Sequence, residues 1–138
     1  MIRLLYVDDN TDTCAIINAF CERMGTFTVQ ILSSGQAALE WLSRFSADVI
    51  VSDYALSGSI DGITFLKTLR SEGNRTPFIL FTSDNSRKIK EEACRQGAFC
   101  VIPKASLGKN TIYLLIRTFD WAVKSGDFRN PEKTAPKS

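Results

Sequence analysis

Two apolar runs of this chain each end on aspartate, and these carboxylates are the first residues that could carry chemistry. Residues 4–7 lead into Asp8 and Asp9, and residues 49–52 lead into Asp53. Three like charges gathered in one place repel one another unless a cation lies among them. Carboxylates without histidine or cysteine partners favour a hard cation, so the sequence predicts a site for Mg²⁺ or Mn²⁺.

Thr82 and Lys104 also stand at the ends of apolar runs and could complete a phosphate site. A lysine can pair with one phosphoryl oxygen, a threonine hydroxyl can bond another, and an aspartate can attack phosphorus to form an acyl phosphate. Asp53 stands alone after its run and is the candidate nucleophile, whereas Asp8 and Asp9 are candidate metal ligands. Taken singly, each residue fits a plainer role as a helix cap or a solvated side chain. Only the occurrence of all five residues at strand ends favours a site for phosphoryl transfer.

The elements that would position these residues alternate regularly along the chain. Apolar runs and alternating residues predict five strands, and apolar residues at helical spacing predict five helices. The predicted strands are Ile2–Val7, Phe27–Leu32, Asp48–Asp53, Phe78–Thr82 and Ala98–Ile102. The predicted helices are about Thr11–Met24, Gly35–Phe45, Gly62–Glu72, Ser86–Gln96 and Asn110–Val123. Such alternation predicts an α/β fold, a doubly wound parallel sheet whose carboxyl edge collects all five candidate residues.

Composition excludes several classes of function. The 138 residues carry a net charge of +2, which gives no electrostatic basis for binding nucleic acid directly or an anionic membrane. No apolar segment reaches the roughly 20 residues of a membrane span, and the N-terminus lacks the layout of a signal peptide. A cytoplasmic protein is therefore expected. The chain has no histidine, and its four cysteines lack zinc-ligand spacing and are expected to be reduced.

Short motifs in a fixed order resemble the receiver domain of two-component response regulators. They are Val7-Asp8-Asp9-Asn10, Val51-Ser52-Asp53-Tyr54, Asp61-Gly62, Leu80-Phe81-Thr82-Ser83, and Gly97-Ala98-Phe99 ahead of Lys104. The resemblance covers Met1 to about Val123 and implies a CheY-like, flavodoxin-like (βα)5 fold with strand order 2-1-3-4-5. Residues 1–124 are therefore expected to form one receiver domain, and residues 125–138 a polar tail that is disordered or a truncated linker.

The resemblance implies a signalling switch that catalyses only its own phosphorylation and dephosphorylation. Asp53 would accept a phosphoryl group from a sensor histidine kinase or a phosphotransfer protein. Asp9, Asp53 and the main-chain carbonyl of Ala55 would bind Mg²⁺ or Mn²⁺ directly. Asp8 would act on the metal through water.

The resemblance also implies how the signal leaves the domain. Lys104 would pair with the phosphoryl group or with Asp53, and Thr82 would move toward a phosphoryl oxygen. Phosphorylation would shift a pre-existing equilibrium of the fourth helix, fifth strand and fifth helix, and so switch a surface for a downstream protein. Neither the cognate kinase nor that downstream protein follows from the sequence, and a homodimer through the fourth and fifth helices is left open.

Three features depart from the family pattern. Val101 stands three residues before the lysine, where family members commonly carry an aromatic residue, and Phe99 is expected on the same strand face. Ala105 follows Lys104 in place of a proline with a cis bond, so a trans bond is expected here. The loop at residues 56–60 lacks the usual Met-Pro pair and is one residue longer, which predicts a looser loop.

Other functions stay open on the residues alone. A pseudo-receiver would keep the fold and act only through protein contacts, without taking phosphate. A small haloacid-dehalogenase-like hydrolase would also use an aspartyl phosphate, but its D-x-D-x-T motif needs an acid where Asn10 stands. A flavodoxin-like cofactor binder needs a first loop that cradles phosphate, and Asp8 and Asp9 would repel that group. The chain could be a single-domain regulator or a fragment of a longer protein.

Overall fold

A computed structural model describes residues 2–84, 86–104, 117, 118, 121 and 124 of the chain. Its strands are β1 Ile2–Val7, β2 Phe27–Leu32, β3 Val49–Ser52, β4 Phe78–Thr82 and β5 Cys100–Pro103. Its helices are α1 Thr11–Met24, α2 Gly35–Leu42, α3 Gly62–Ser71 and α4 Arg87–Arg95. One helix separates each strand from the next, as the alternation of apolar patterns predicts.

The five strands form one parallel sheet in the order β2-β1-β3-β4-β5. The predicted doubly wound α/β fold and its strand order are therefore confirmed. The strand order reverses at β1, which has β2 on one side and β3 on the other. Doubly wound sheets bind their ligands at the carboxyl edge near that reversal. Every residue of β3 and β4 is buried, which is why those strands are almost continuously apolar.

Alternation along the strands divides the core into two clusters, one on each face of the sheet. Successive strand side chains point to opposite faces, so neighbouring residues belong to different clusters. On the face covered by α1, Tyr6 and Val51 pack with Ile17. On the face covered by α2 and α3, Leu5 packs with residues such as Leu66. We call these the α1-side cluster and the α3-side cluster.

Each of the four helices begins at a side chain that caps it. The capping oxygen accepts a hydrogen bond from the backbone N–H three residues later, a donor that has no partner within the helix. The caps are Asn10 for α1, Ser34 for α2, Asp61 for α3 and Ser86 for α4. Helix α1 ends at Gly25, whose φ of 72° is a left-handed conformation that glycine adopts without strain. The helix starts predicted from capping residues are confirmed.

Some side chains and element ends differ from the predictions. The second helix is predicted to reach Phe45 with its ring inside, but α2 ends at Leu42 and Phe45 is 55% exposed. Its ring packs instead against Trp41, with ring centroids 5.1 Å apart. Strand β5 begins at Cys100, two residues later than its apolar run predicts.

Several predictions fall on residues that the structure does not describe. Within the predicted fifth helix, Asn110–Val123, only residues 117, 118 and 121 are described, and these are helical. The tail at residues 125–138 and the Lys104–Ala105 peptide bond lie outside the described residues. In the part that is described, no helix is both long and apolar enough to cross a bilayer. The four cysteines are free thiols, as predicted.

Candidate functional site

Three of the predicted site residues meet at the carboxyl edge of the sheet. Lys104 follows β5, and its Nζ donates to Asp8 Oδ2 at 2.5 Å and to Asp53 Oδ2 at 3.0 Å. Asp8 follows β1 and Asp53 follows β3, so one ammonium group joins the ends of three strands. The side chains of Asp8, Asp53 and Lys104 are 0%, 12% and 10% exposed, so water screens their attraction far less than that of a surface ion pair.

The alternation of strand side chains explains why these three residues face one another. Each follows, by two positions, a buried strand residue of the α1-side cluster. Those strand residues are Tyr6, Val51 and Ile102. Strand β4 lies between β5 and β3, so the Lys104 side chain must cross β4 to reach Asp53. On that path the Nζ of Lys104 lies 5.4 Å from the centre of the Phe81 ring. The face of the ring attracts the ammonium group along that path.

Asp8 is the most enclosed member of the site. It is 1% exposed, and its Oδ1 accepts from the backbone N–H of Asn10 at 3.0 Å. Its Oδ2 accepts from the Tyr6 hydroxyl at 2.9 Å as well as from Lys104. Both carboxylate oxygens are therefore occupied by donors of the chain itself.

Asp53 is held by its own loop and lies at the pocket. Its Oδ1 accepts from the backbone N–H of Tyr54 at 2.7 Å, which leaves Oδ2 to Lys104. The first residue of α3, Gly62, passes so close that a Cβ added there would lie 2.2 Å from the Asp53 carbonyl oxygen. The Asp61-Gly62 pair thus combines a helix cap with a close backbone contact that only glycine permits.

An open pocket of about 500 Å³ adjoins the buried ion pairs. Its lining includes Asp9, Thr13, Asp53, Ala55, Ser83 and Lys104. Oxygen atoms are the ligands that Mg²⁺ prefers, and proteins commonly supply one or two carboxylates and leave the remaining positions to water. The carboxylates of Asp9 and Asp53 and the carbonyl at Ala55 fit that donor set. Within the described residues, no three His, Cys, Asp or Glu side chains are grouped closely enough to hold a metal ion alone.

Thr82 reaches the same edge of the sheet but does not line the pocket. It is 1% exposed, and its Oγ1 accepts from the backbone N–H of Asp84 at 3.1 Å. Alternation along β4 places Thr82 on the side of Leu80, which belongs to the α3-side cluster. Ser83, the next residue, lines the pocket instead. Of the predicted site residues, Asp9, Asp53, Ala55 and Lys104 line the pocket, whereas Asp8 and Thr82 are buried beside it.

Burial shifts the protonation equilibria around the site. Burial lowers the pKa of Lys104, but the hydrogen bonds to Asp8 and Asp53 and the charges of these carboxylates together outweigh it, so the pKa is raised above its usual value. Burial, together with the charge of Asp8, raises the pKa of the Tyr6 hydroxyl far above its usual range. The same two causes raise the pKa of the Cys14 thiol. At neutral pH the site therefore holds one ammonium donor, a neutral phenol and a neutral thiol.

Two side chains at the site were missed by inspection of the sequence. Tyr6 bonds Asp8, and Thr13, which is 3% exposed, lines the pocket. The signal for Tyr6 was present, because a tyrosine two residues before a strand-end carboxylate shares its face and a buried phenol needs an acceptor. No comparable signal marked Thr13, since its place depends on how α1 leaves the sheet.

The loop between β3 and α3 is anchored along its length. Ser57 pairs with Ser34 in an isolated parallel bridge, and the Ser57 Oγ donates to the Ser33 carbonyl at 3.1 Å. The Gln36 side chain also donates to the Ser59 hydroxyl. These contacts tie the loop to the start of α2.

Phe99 and Val101 do not share a face of the sheet. Phe99 packs against the α1-side cluster and meets Trp121 edge to face, with ring centroids 5.1 Å apart. Val101 is half-buried against the α3-side cluster. The expectation of a shared face is wrong because β5 begins at Cys100, so the alternation of the strand does not extend back to Phe99.

The chain is similar to one known family over most of its length. The family model described as the response regulator receiver domain matches residues 4–116. Transcriptional regulatory protein ZraR of Escherichia coli (strain K12) is 26% identical over 137 residues, which are 99% of this chain and 26% of that protein. Regulatory protein AtoC of the same strain is 32% identical over 102 residues, which are 74% of this chain and 22% of that protein. The chain thus spans about a quarter of the length of these relatives.

Solved structures agree with the fold. The receiver domain of a Francisella response regulator has a TM-score of 0.81 at 26% identity, covering 91% of this chain and 98% of that chain. The chemotaxis response regulator CheY4 of Vibrio cholerae has a TM-score of 0.76 at 24% identity, covering 86% of this chain and 98% of that chain. Both similarities extend over almost the whole of the solved chain.

Proposed function

The chain belongs to the response regulator receiver domain family, and on that premise we propose that it is a phosphoacceptor switch whose acceptor is Asp53. The observation that carries the proposal is the position of the Lys104 ammonium group. It bonds the carboxylates of Asp53 and Asp8 at the edge of an open pocket. A carboxylate that is paired with a buried cation and reachable from a pocket is suited to receive a negatively charged phosphoryl group.

In the proposed reaction, a carboxylate oxygen of Asp53 attacks the phosphorus atom of a phosphohistidine. A P–O bond forms while the P–N bond breaks, and the electron pair of the P–N bond returns to the ring nitrogen, which takes up a proton from water. The products are an acyl phosphate on Asp53 and a free histidine on the donor. The 138 residues contain no histidine, so the phosphohistidine lies outside them, and the proposed donor is a sensor kinase or a phosphotransfer protein. Lys104 already bonds Asp53 Oδ2 and is placed to pair with the arriving phosphoryl oxygens.

The metal of the proposed site is Mg²⁺ or Mn²⁺. Asp9, Asp53 and the Ala55 carbonyl would hold it, because all three lie at the pocket. Asp8 would act only through water, because it is buried beside the pocket and does not line it. When bound, the cation reduces the repulsion between the carboxylates and the phosphoryl oxygens.

The output of the proposed switch runs through Thr82 and α4. The Thr82 Oγ1 accepts a hydrogen bond from the Asp84 N–H, so its own proton is available for a phosphoryl oxygen. Asp84 Oδ1 in turn accepts from the backbone N–H of Ser86, which caps α4. A movement of Thr82 toward Asp53 would therefore pull on the start of α4 and change the surface that a downstream protein meets.

Intact-mass measurement of the full chain tests this function directly. With acetyl phosphate and Mg²⁺, the wild type is expected to gain one phosphoryl group, and Asp53→Asn is expected to gain none. Asp48→Asn is the matched control, because Asp48 stands at the opposite end of β3, where it accepts from the Arg3 backbone N–H at 2.7 Å. This control should gain mass as the wild type does.

Two results would overturn the proposal. Phosphorylation of Asp53→Asn at the wild-type rate would mean that another residue is the acceptor. A wild-type chain that binds Mg²⁺ and gains no mass would mean that the protein is a pseudo-receiver, which keeps the fold and works through protein contacts alone.

A further inference from the structure

The Tyr6 hydroxyl is a buried polar group beside the site that the proposed phosphoryl transfer leaves without a role. Tyr6 is fully buried, and its hydroxyl donates to Asp8 Oδ2 at 2.9 Å. The same oxygen accepts from Lys104 Nζ at 2.5 Å. Asp8 Oδ2 therefore has two donors, one neutral and fixed in the core, the other charged and on a long side chain.

These two donors differ in their freedom to leave. The Tyr6 ring is packed into the α1-side cluster, so its hydroxyl cannot turn away without disrupting the core. Lys104 reaches the site on a flexible stem and already divides its bonds between Asp8 and Asp53. When Lys104 turns toward a phosphoryl group on Asp53, Asp8 Oδ2 loses its charged donor. A buried carboxylate oxygen left without any donor is strongly destabilised.

We propose that Tyr6 is a positioning residue whose hydroxyl holds Asp8 while Lys104 moves from Asp8 to the phosphoryl group. The hydroxyl keeps Asp8 Oδ2 bonded in both arrangements of Lys104, and so reduces the free-energy cost of the exchange. The exchange step rests on the proposed function, whereas the sharing of Asp8 Oδ2 by Tyr6 and Lys104 does not. The two parts can therefore be tested separately.

A double-mutant cycle on the unphosphorylated chain tests the sharing. Tyr6→Phe is combined with Lys104→Met, which keeps most of the apolar stem without the charge, and unfolding is followed in urea. In the wild-type background, Tyr6→Phe should raise the equilibrium constant for unfolding about fivefold, as expected for one hydrogen bond. In the Lys104→Met background the factor should be at least about tenfold larger, because Asp8 Oδ2 then loses its last side-chain donor. Equal factors in the two backgrounds would mean that the hydrogen bond of Tyr6 to Asp8 is independent of Lys104, and would overturn the inference.

Phosphorylation by acetyl phosphate at saturating Mg²⁺ tests the exchange. Tyr6→Phe is expected to slow the gain of mass by at least about fivefold, because in this variant the departure of Lys104 leaves Asp8 Oδ2 without any side-chain donor. Ile17→Val is the matched control, because Ile17 is a 2% exposed neighbour in the same cluster and bears no polar group. Ile17→Val should slow the reaction by less than about twofold, because it removes one methyl group from the core and leaves the site unchanged.

The outcomes separate this inference from the proposed function. If the unfolding cycle shows coupling but Tyr6→Phe is phosphorylated at the rate of the wild type, the role of Tyr6 in the exchange is refuted. Absence of mass gain in the wild type would refute the proposed function, and the unfolding cycle would still decide whether Tyr6 and Lys104 share Asp8.

Discussion

Lys104 Nζ lies 2.5 Å from Asp8 Oδ2, although 96 positions separate the two residues in the chain. The ammonium group also bonds Asp53, so a single cation is shared by two carboxylates that follow neighbouring strands. Any cation that enters the pocket must therefore share these carboxylates with Lys104. The lysine is both a partner of the phosphoryl group in the proposed reaction and a competitor of the metal.

This competition predicts that Lys104→Met binds Mg²⁺ more tightly than the wild type. The ammonium group repels a second cation a few ångströms away, and its loss also frees Asp53 Oδ2, whereas Asp8 Oδ2 keeps the Tyr6 hydroxyl as a donor. We expect the Kd for Mg²⁺ to fall about tenfold, measured by isothermal titration calorimetry of the unphosphorylated chain. Lys67→Met, on the exposed face of α3, is the control and should leave the Kd unchanged. Unchanged or weaker binding by Lys104→Met would show that the ammonium group does not compete with the metal.

Because the thiol of Cys21 is buried, we expect the folded chain to lose stability against unfolding at alkaline pH. Burial raises the pKa of Cys21 from 9.0 to about 11. Below pH 9 the thiol is protonated in both the folded and the unfolded chain, so it contributes no pH dependence. Between pH 9 and about 11 the unfolded chain releases this proton while the folded chain keeps it, so stability falls as pH rises. The loss from this one group is on the order of 2 kcal/mol.

Unfolding in urea at a series of pH values between about 8 and 11 measures this effect. Cys21→Ala should be less stable than the wild type at the lower pH, because it leaves a cavity, but its stability should fall less steeply with rising pH. Ile17→Val is the control, because it also removes a buried group of the α1-side cluster but no titratable one, and it should keep the slope of the wild type. Parallel pH curves for the wild type and Cys21→Ala would refute the assignment.

The parts of the structure that depend on nearby residues could be predicted from the sequence. The caps at Ser34 and Asp61 and the continuous burial of residues 4–7 in β1 are set within a few positions of the chain. The alternation of strands and helices then brings Asp8, Asp53 and Lys104 to one edge, as expected.

Contacts between distant segments could not be predicted in the same way. The sequence shows a longer loop after β3, but not that Ser57 bonds the Ser33 carbonyl, 24 positions away. Likewise, a family resemblance pairs Lys104 with Asp53, whereas its shorter bond to Asp8 depends on the path of the lysine across β4. Such contacts follow from sheet twist and helix placement, which no local pattern of residues specifies.

Substitutions at the neighbouring residues Asp61 and Gly62 are expected to lower the free energy of unfolding by very different amounts. Asp61→Ala removes the cap of α3, whose Oδ1 accepts from the Thr64 N–H at 2.8 Å, and should lower the free energy of unfolding by about 1 kcal/mol. Gly62→Ala places a Cβ 2.2 Å from the Asp53 carbonyl oxygen, and a backbone atom cannot move aside as a flexible side chain can. We expect a loss of about 3 kcal/mol, at the upper end of what overpacking costs. Urea unfolding of both variants compares the two values.

The same pair of variants separates stability from function. Relief of the clash at Gly62→Ala requires the Asp53 backbone to shift, so its phosphorylation by acetyl phosphate should be slowed even under conditions where the variant is fully folded. Asp61→Ala leaves the contact between Gly62 and Asp53 in place and should react within about twofold of the wild-type rate. If both folded variants react at the wild-type rate, the close backbone contact is needed only for folding, and the position of Asp53 tolerates a displacement of its loop.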